Sequence, residues 1–485
     1  MTRSFFVSAT MSISEESPLL DALHVPDASG DCDVYDRFTK AQKNFIIFVV
    51  SFAGLLPTLV TGTFVPSIPQ IAHDLDSKGA VVSLAVSLSV FANAIGGLVW
   101  AAYSSFYGRR PMYLWGMPIL CIGSFGVAAS MSLRTLLFWR FVQAFGCAGG
   151  VSVGAAVIGD IYRPEQRGTA LGIFFGASLL GVALSPIIGG TAAHYWSWRN
   201  LHFSLGIWGV IEMVLIYLSF PETSHPQSGE IRKLAALSNH PQLGETRKLT
   251  LPFNFVLINP FNSLWLLRSP NIMAVTLANA SAMVTDYVLL VPIAYTIGAR
   301  YHISNEALIG ACFLPSGLGN FIASPIAGRL SDTMISKWKV KRNGIWVPED
   351  RLRAVLVGGL LVPLSVGLSG LVTAYIAGPL GLVLNLLCLF LNGIGVDFVL
   401  TPIGSYNVDV LQSRSAEVIA AVTAFRAIIL APVTAAVLPS IEMLGVAGTN
   451  GIATVIALVG YGLIVLTIRY GGRMRAWVDV GYTPL

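Results

Sequence analysis

The chain has 485 residues, of which 54% are apolar and only 11% charged, with a formal net charge of +5 and a mean hydropathy of +0.70. Soluble domains carry about 25% charged residues, so a water-soluble enzyme or scaffold is excluded and the chain reads as an integral membrane protein. The positive balance lies in loops between apolar runs and gives no support to nucleic-acid binding.

A polar tail, 1–44, precedes the first apolar run, so no cleavable signal peptide opens the chain and the first span itself directs insertion. Within the tail, Glu15, Pro18, Leu19 and Leu20 form an acidic dileucine-like string, which makes a vacuolar membrane the alternative to the expected plasma membrane. Six runs follow at 45–65, 81–104, 111–129, 136–158, 168–190 and 201–220. Each has about the 20 residues that a helix needs to cross a hydrocarbon core, and only a helix satisfies its own backbone there.

Between the second and third runs stand Gly108, Arg109 and Arg110, where a tight turn and two cations suit either ordinary anchoring or the latching of a gate. The fourth run carries Arg140, a guanidinium within an otherwise apolar segment, with Gln143 one turn on. Such a charge costs about 2.5 to 3.5 kcal/mol on insertion scales, so a retained one points to transport or coupling. The fifth run carries small residues at Gly172, Gly181, Ser185, Gly189 and Gly190, with Pro186 among them. That stripe permits close helix contact and a bend, a seam able to seal one end of a cavity. Glu212, in the sixth run, is expected to face a neighbouring helix.

A polar central loop, 221–270, divides the chain into a first six-helix bundle, 45–220, and a second, 271–470, before a tail, 471–485. Its end, 251–267, mixes Phe253, Phe255, Phe261 and Trp265 with polar residues and reads either as an interfacial helix or as a linker closed by packed aromatics. The second six runs are 271–294, 307–327, 354–376, 379–402, 415–439 and 446–470. Gly328, Arg329, Leu330, Ser331 and Asp332 follow the eighth run, at the place equivalent to Gly108 in the first half.

With both termini cytoplasmic, all but six of the 30 Lys and Arg fall on the inner side. The exceptions are Lys78, Arg134, Arg199 and Arg300 in outer loops, and Arg140 and Arg426 within spans. Cys121, Cys147, Cys312 and Cys388 lie in spans and Cys32 in the tail, so the five cysteines read as packing residues rather than a disulfide framework. The sequon at Asn279 falls within a span, out of reach of glycosylation. No phosphate-binding loop, metal cluster or catalytic triad stands out, so neither a cofactor nor a metal is expected.

Arg140, Gln143 and Gly146, together with Gly108 to Arg110 and Asp332, resemble the signature motifs of the major facilitator superfamily. The first-half loop departs from the pattern, with Ser105 at the usual acidic position and Ala101 at the leading glycine, which shifts weight to Asp332. The fifth-span stripe resembles the antiporter motif of that superfamily, with Ser185 where glycine is usual. Pro221 to Thr223, Pro348 to Leu352, Asp409 and Arg414 to Glu417 resemble its fungal drug:proton antiporter family with twelve spans.

The resemblance implies an all-α membrane protein of twelve helices in two six-helix bundles, with a central site lined by spans one, four, seven and ten and exposed alternately to each side. On those spans, Asn279 and Asp286 are seven residues apart and share a helix face with Thr276 nearby, which makes Asp286 the first candidate proton carrier. Asn385 and Asn392 share a face in span ten, while Asp397 is turned about 120–140° away toward a neighbouring helix. Arg426 is expected to pair with Asp397, Glu417 or an anionic cargo.

The expected function is proton-coupled export of a small organic compound, a secreted metabolite, organic acid or drug, by a monomer in contact with lipid. Proton-coupled uptake of a nutrient and a non-transporting receptor are the alternatives.

Overall fold

A computed structural model describes residues 35–77, 79–82, 84–224, 259–298, 300–301, 306–478 and 480. The tail string at Glu15 to Leu20, Cys32, and Phe253 and Phe255 of the central loop lie outside the described residues. The described residues are all helix, turn or coil, and twelve helices are long and apolar enough to cross a membrane. These are α1 Lys40–Ser67, α2 Leu84–Tyr107, α3 Arg109–Ala128, α4 Leu133–Ile161, α5 Pro164–Ala192 and α6 Trp198–Ser219 in the first half. The second half contains α7 Pro270–Leu290, α8 Leu308–Lys341, α9 Pro348–Tyr375, α10 Gly378–Val410, α11 Gln412–Thr434 and α12 Ala436–Trp477.

Local chemistry sets the helix starts. Thr39 opens α1 with a capping box, its hydroxyl accepting from the Gln42 amide while Gln42 Oε1 accepts from the Thr39 amide. Ser132 and Thr135 do the same for α4. Pro164, Pro270 and Pro348 stand at the starts of α5, α7 and α9, where a missing N–H leaves no bond unmade. The last two spans form one helical run, Ser415–Trp477, which reverses at Gly445, where φ is +72°. Glycine supplies that conformation without strain.

The core runs through the middle of both bundles, whereas Phe48, Phe91, Phe138, Ile211, Leu364 and Val459 face outward. An apolar exterior of this kind suits lipid rather than water.

Several helices outrun their apolar windows. The tenth extends to Val410 because its polar end is buried, with Asp409 held by arginines of both halves, whereas the eighth extends to Lys341 with Ser331 and Asp332 buried and Ser336, Lys337 and Lys341 exposed. Of the expected interfacial segment, Pro260–Arg268 is a 3-10 helix with Asn259 as its cap. It buries Leu266 and Leu267, leaves Phe261 and Trp265 exposed, and sets Leu264 against α2 and α11.

Candidate functional site

At the end of the bundles expected to be cytoplasmic, a buried ion network joins the two halves. Asp409, at the end of α10, accepts from Arg167 of α5 at 2.6 Å through one oxygen and from Arg351 of α9 at 2.7 Å through the other. Arg351 also reaches Asp332 of α8 at 2.8 Å and the Pro164 carbonyl. Asp332 in turn accepts from the amides of Gly168 and Thr169, at 2.8 and 2.7 Å, and from the Thr169 hydroxyl. Two guanidinium groups face two carboxylates, so the cluster is neutral overall. Buried charges need this degree of pairing, because desolvation penalises each one left alone. A peripheral bridge from Lys339 to Glu165 at 3.1 Å adds to the same seam.

The first-half loop uses different acids. Arg109 pairs with Asp160 of α4 at 2.9 Å, and Glu222, after α6, accepts from the amides of Arg109 and Arg110. Gly108 has a φ of +103°, and a Cβ there would stand 2.6 Å from the Glu222 carboxylate. The loop is therefore latched although Ser105 replaces the usual acid. The residues of the loop itself gave no signal of these partners, because Asp160 and Glu222 are 51 and 113 residues from Arg109.

The fifth helix lies between α1 and α8 and approaches both closely at its small residues. A Cβ on Gly328 would be 2.2 Å from the Gly168 carbonyl, and one on Gly172 2.4 Å from that of Ser324. On the other side, a Cβ on Gly181 would meet Thr58 Oγ at 2.1 Å, one on Gly189 the Thr63 carbonyl at 2.3 Å, and one on Gly62 Ser185 Oγ at 1.9 Å. Pro186 and Gly190 belong to the same helix, and its two faces serve both halves.

Arg140 is fully buried in the first bundle. Its Nη1 donates to Gln143 Oε1 at 2.8 Å and to the Val60 carbonyl at 3.1 Å, and its guanidinium lies 4.3 Å from the Phe64 ring centroid. Nε and Nη2 have no partner, and Arg140 makes no ion pair among the described residues. Snorkelling to the rim is thus replaced by burial against α1, α3 and α6. His202 of α6, which the sequence analysis did not single out, lies 3.3 Å from Gln143 Nε2.

In the second bundle, Ser316 of α8 donates to Asp286 at 3.1 Å, and Arg426 of α11 donates to Asn279 at 3.2 Å. Asn279 and Asp286 are both buried, as is Thr276, whose hydroxyl is spent on the Ile272 carbonyl. Arg426 pairs with neither Asp397 nor Glu417: Glu417 is engaged by Arg414, and Asp397 accepts from Thr401 at 3.3 Å. Asp397 Oδ2 has no partner, and the field of Asp286 reaches it. Asn392 donates to Thr285 and Ser365, whereas Asn385 is satisfied by Ser369, Thr373, Tyr301 and the Gly381 carbonyl, toward the other end of α10. Glu212 is fully buried, with neither oxygen hydrogen-bonded. The four described cysteines are free and buried.

A family model described as the Major Facilitator Superfamily matches residues 50–434. The efflux pump radE of Floropilus chiversii is 26% identical over 439 residues, covering 89% of this chain and 80% of that protein. Citrate exporter 1 of Aspergillus niger is 28% identical over 218 residues, 45% of this chain and 41% of its own length. In fold, the chain is similar to the crystal structure of the human organic anion transporter MFSD10, with a TM-score of 0.59 over 87% of this chain and 99% of that one at 16% identity. The chain belongs to the major facilitator superfamily and is a multi-pass membrane transporter rather than an enzyme.

Proposed function

We propose that the protein exports a small organic compound in exchange for protons, and that an organic acid is the class of cargo. The observation that carries the cargo class is a pair of guanidinium groups, Arg140 and Arg426, neither of which has a carboxylate partner among the described residues. A buried cation without a counter-ion is costly, and an anionic cargo would supply the missing charge. Export is supported by the small-residue seam of α5 and by relatives named as an efflux pump and a citrate exporter.

In this proposal Asp286, with Asn279 and Arg426, carries the coupling proton in the second bundle, taken as 271–470. Arg140 and Gln143 bind cargo or respond to it in the first, taken as 45–220. Asp397 and Asn392 support Asp286 from α10, and Asn385 fixes the far end of that helix. Gly108, Arg109, Arg110 and Asp332 latch the inner gate, and the glycines of α5 form the seam on which the halves rock. The plasma membrane, with both termini cytoplasmic, is the proposed setting.

The test is reconstitution in proteoliposomes with an imposed pH gradient, an internal pH dye and a panel of organic acids and lipophilic drugs. Proton movement opposite to an organic acid supports the proposal. Co-directional movement moves the function to uptake, and response to uncharged drugs alone removes the organic-acid class.

A further inference from the structure

The eighth and tenth helices run side by side in the same direction and keep one register. A Cβ on Gly393 of α10 would stand 2.1 Å from the Ser316 carbonyl of α8. Two turns further along both helices, Ser324 and Thr401 share a hydrogen bond of 2.9 Å. Midway between these contacts, one turn from each, the register brings Asn320 level with Asp397. Both side chains are buried.

Each of the two keeps one oxygen without a partner, Oδ1 of Asn320 and Oδ2 of Asp397. Both atoms are acceptors, so neither can serve the other while Asp397 is ionised. A carboxylate has about four acceptor positions. Among the described residues, this one is offered only the hydroxyls of Thr401, at 3.3 Å, and Ser324.

No cation faces it from the helices packed against α10. Arg426 of α11 is turned to Asn279, Arg351 of α9 to Asp332 and Asp409, and Arg167 of α5 to Asp409. At this level α9 brings only Gly358 and Val362 against α10. From α7 comes Asp286, a second acid whose field reaches Asp397. Burial without a counter-ion and a neighbouring acid both disfavour the charged form. A proton on Oδ2 removes the charge and turns one orphaned acceptor into a donor, which the other orphan, Asn320 Oδ1, accepts.

We propose that Asp397 is a second proton-bearing acid of the second bundle and that Asn320 holds it in the protonated form. The inference rests on the proton-coupled reading above and adds a proton to the one assigned to Asp286. The eighth helix serves both acids, since Ser316 donates to Asp286 at 3.1 Å one turn before Asn320. It gives Asp286 a donor and Asp397 an acceptor, so the two acids are not equivalent.

The experiment is infrared spectroscopy of the full chain in nanodiscs at about pH 7, where an ordinary aspartate is ionised. Subtracting the Asp397→Asn spectrum from that of the wild type is expected to reveal the carbonyl band of a protonated acid. Asn320→Leu, of similar size, is expected to shift that band to higher frequency, because the acid O–H loses its acceptor. Ser316→Ala, which touches Asp286 instead, is expected to leave it in place. If Asp397→Asn does not fold, the difference between wild type and Asn320→Leu carries the same shift, and 13C-labelled aspartate marks the band as an aspartic acid.

An Asp397 that shows only carboxylate bands overturns the proposal, as does an acid band that Asn320→Leu leaves unmoved or that Ser316→Ala moves equally. An Asp397 acid band in a protein whose liposome panel shows no proton movement sinks the proton-coupled reading and leaves the pairing with Asn320 standing. Proton-coupled flux without that band has the reverse meaning.

Discussion

Asp409→Asn removes an acid held by arginines of both halves while keeping its volume and one acceptor oxygen. Asp409 is buried, and each of its oxygens holds an arginine that is also fully buried. Removing one partner of a buried pair costs about 3–5 kcal/mol. Here Arg351 keeps Asp332 and the Pro164 carbonyl, Arg167 keeps the Gly159 and Tyr162 carbonyls, and the asparagine oxygen still serves one of them. The lower end, about 3 kcal/mol, is therefore appropriate. Arg167 belongs to the first half and Asp409 to the second, so opening of the inner gate separates that pair in any case and its loss falls on the closed state. At about 1.4 kcal/mol per tenfold, the equilibrium moves roughly 100-fold toward the open state. Nitroxide labels at the exposed Gln166 of α5 and Lys337 of α8 report the separation of the halves by pulsed electron resonance. The wild type is expected to show mainly the short distance and Asp409→Asn a new long one. An unchanged distance distribution in a variant that melts like the wild type would refute the assignment of Asp409 as the lock.

Arg140→Ala and Asp286→Asn are each expected to lower cargo-driven proton flux at least about tenfold at equal abundance, as loss of a proton-transfer or charge-pairing group does; wild-type flux in liposomes would remove both from the site. Gly328→Val places a Cβ against the Gly168 carbonyl and is expected to cost about 1–3 kcal/mol of stability in a detergent melt. Gly472→Ala, where nothing lies within 4 Å, is expected to be nearly silent. Asp74 accepts from Trp198 Nε1 at 3.0 Å and from Arg199 at 2.9 Å, and the tryptophan bond first, then the arginine, hold its carboxyl below the ordinary aspartate range. A depressed carboxyl stabilises the fold above its unfolded pKa and loses that contribution as the pH falls through the folded value. The contact between Asp74 and Trp198, followed by tryptophan fluorescence, is therefore expected to persist at neutral pH and to break only in acid, and Asp74→Asn should abolish the acid transition.

Twelve spans were legible because lipid imposes length and apolarity on every helix, and those are local properties of sequence. The polar extensions of α8 and α10 were not, because Asp332 and Asp409 are tolerated there only through partners on other helices. For the same reason Arg351 was visible as part of a motif but not as the link between those two acids. The face shared by Asn279 and Asp286 was readable from a spacing of seven, yet each residue met a different helix, Arg426 on α11 and Ser316 on α8. His202 gave no signal, since one histidine in a span carries no spacing.

At Gly172 and Gly328 against α8, and at Gly189 against α1, the fifth-helix seam is backbone on backbone rather than interlocked side chains. Interlocked side chains must leave their sockets before two helices can shift, and each exit adds to the barrier. At these three places there is no socket to leave, because carbonyls face the glycine Cα atoms. At those points the seam is a smooth bearing, and the teeth it has are small ones, such as Ser185 against Gly62 and Ala183 against Gly317. The strong cross-seam bonds are then concentrated in the ion network at one end, where Arg167, Arg351, Asp332 and Asp409 meet.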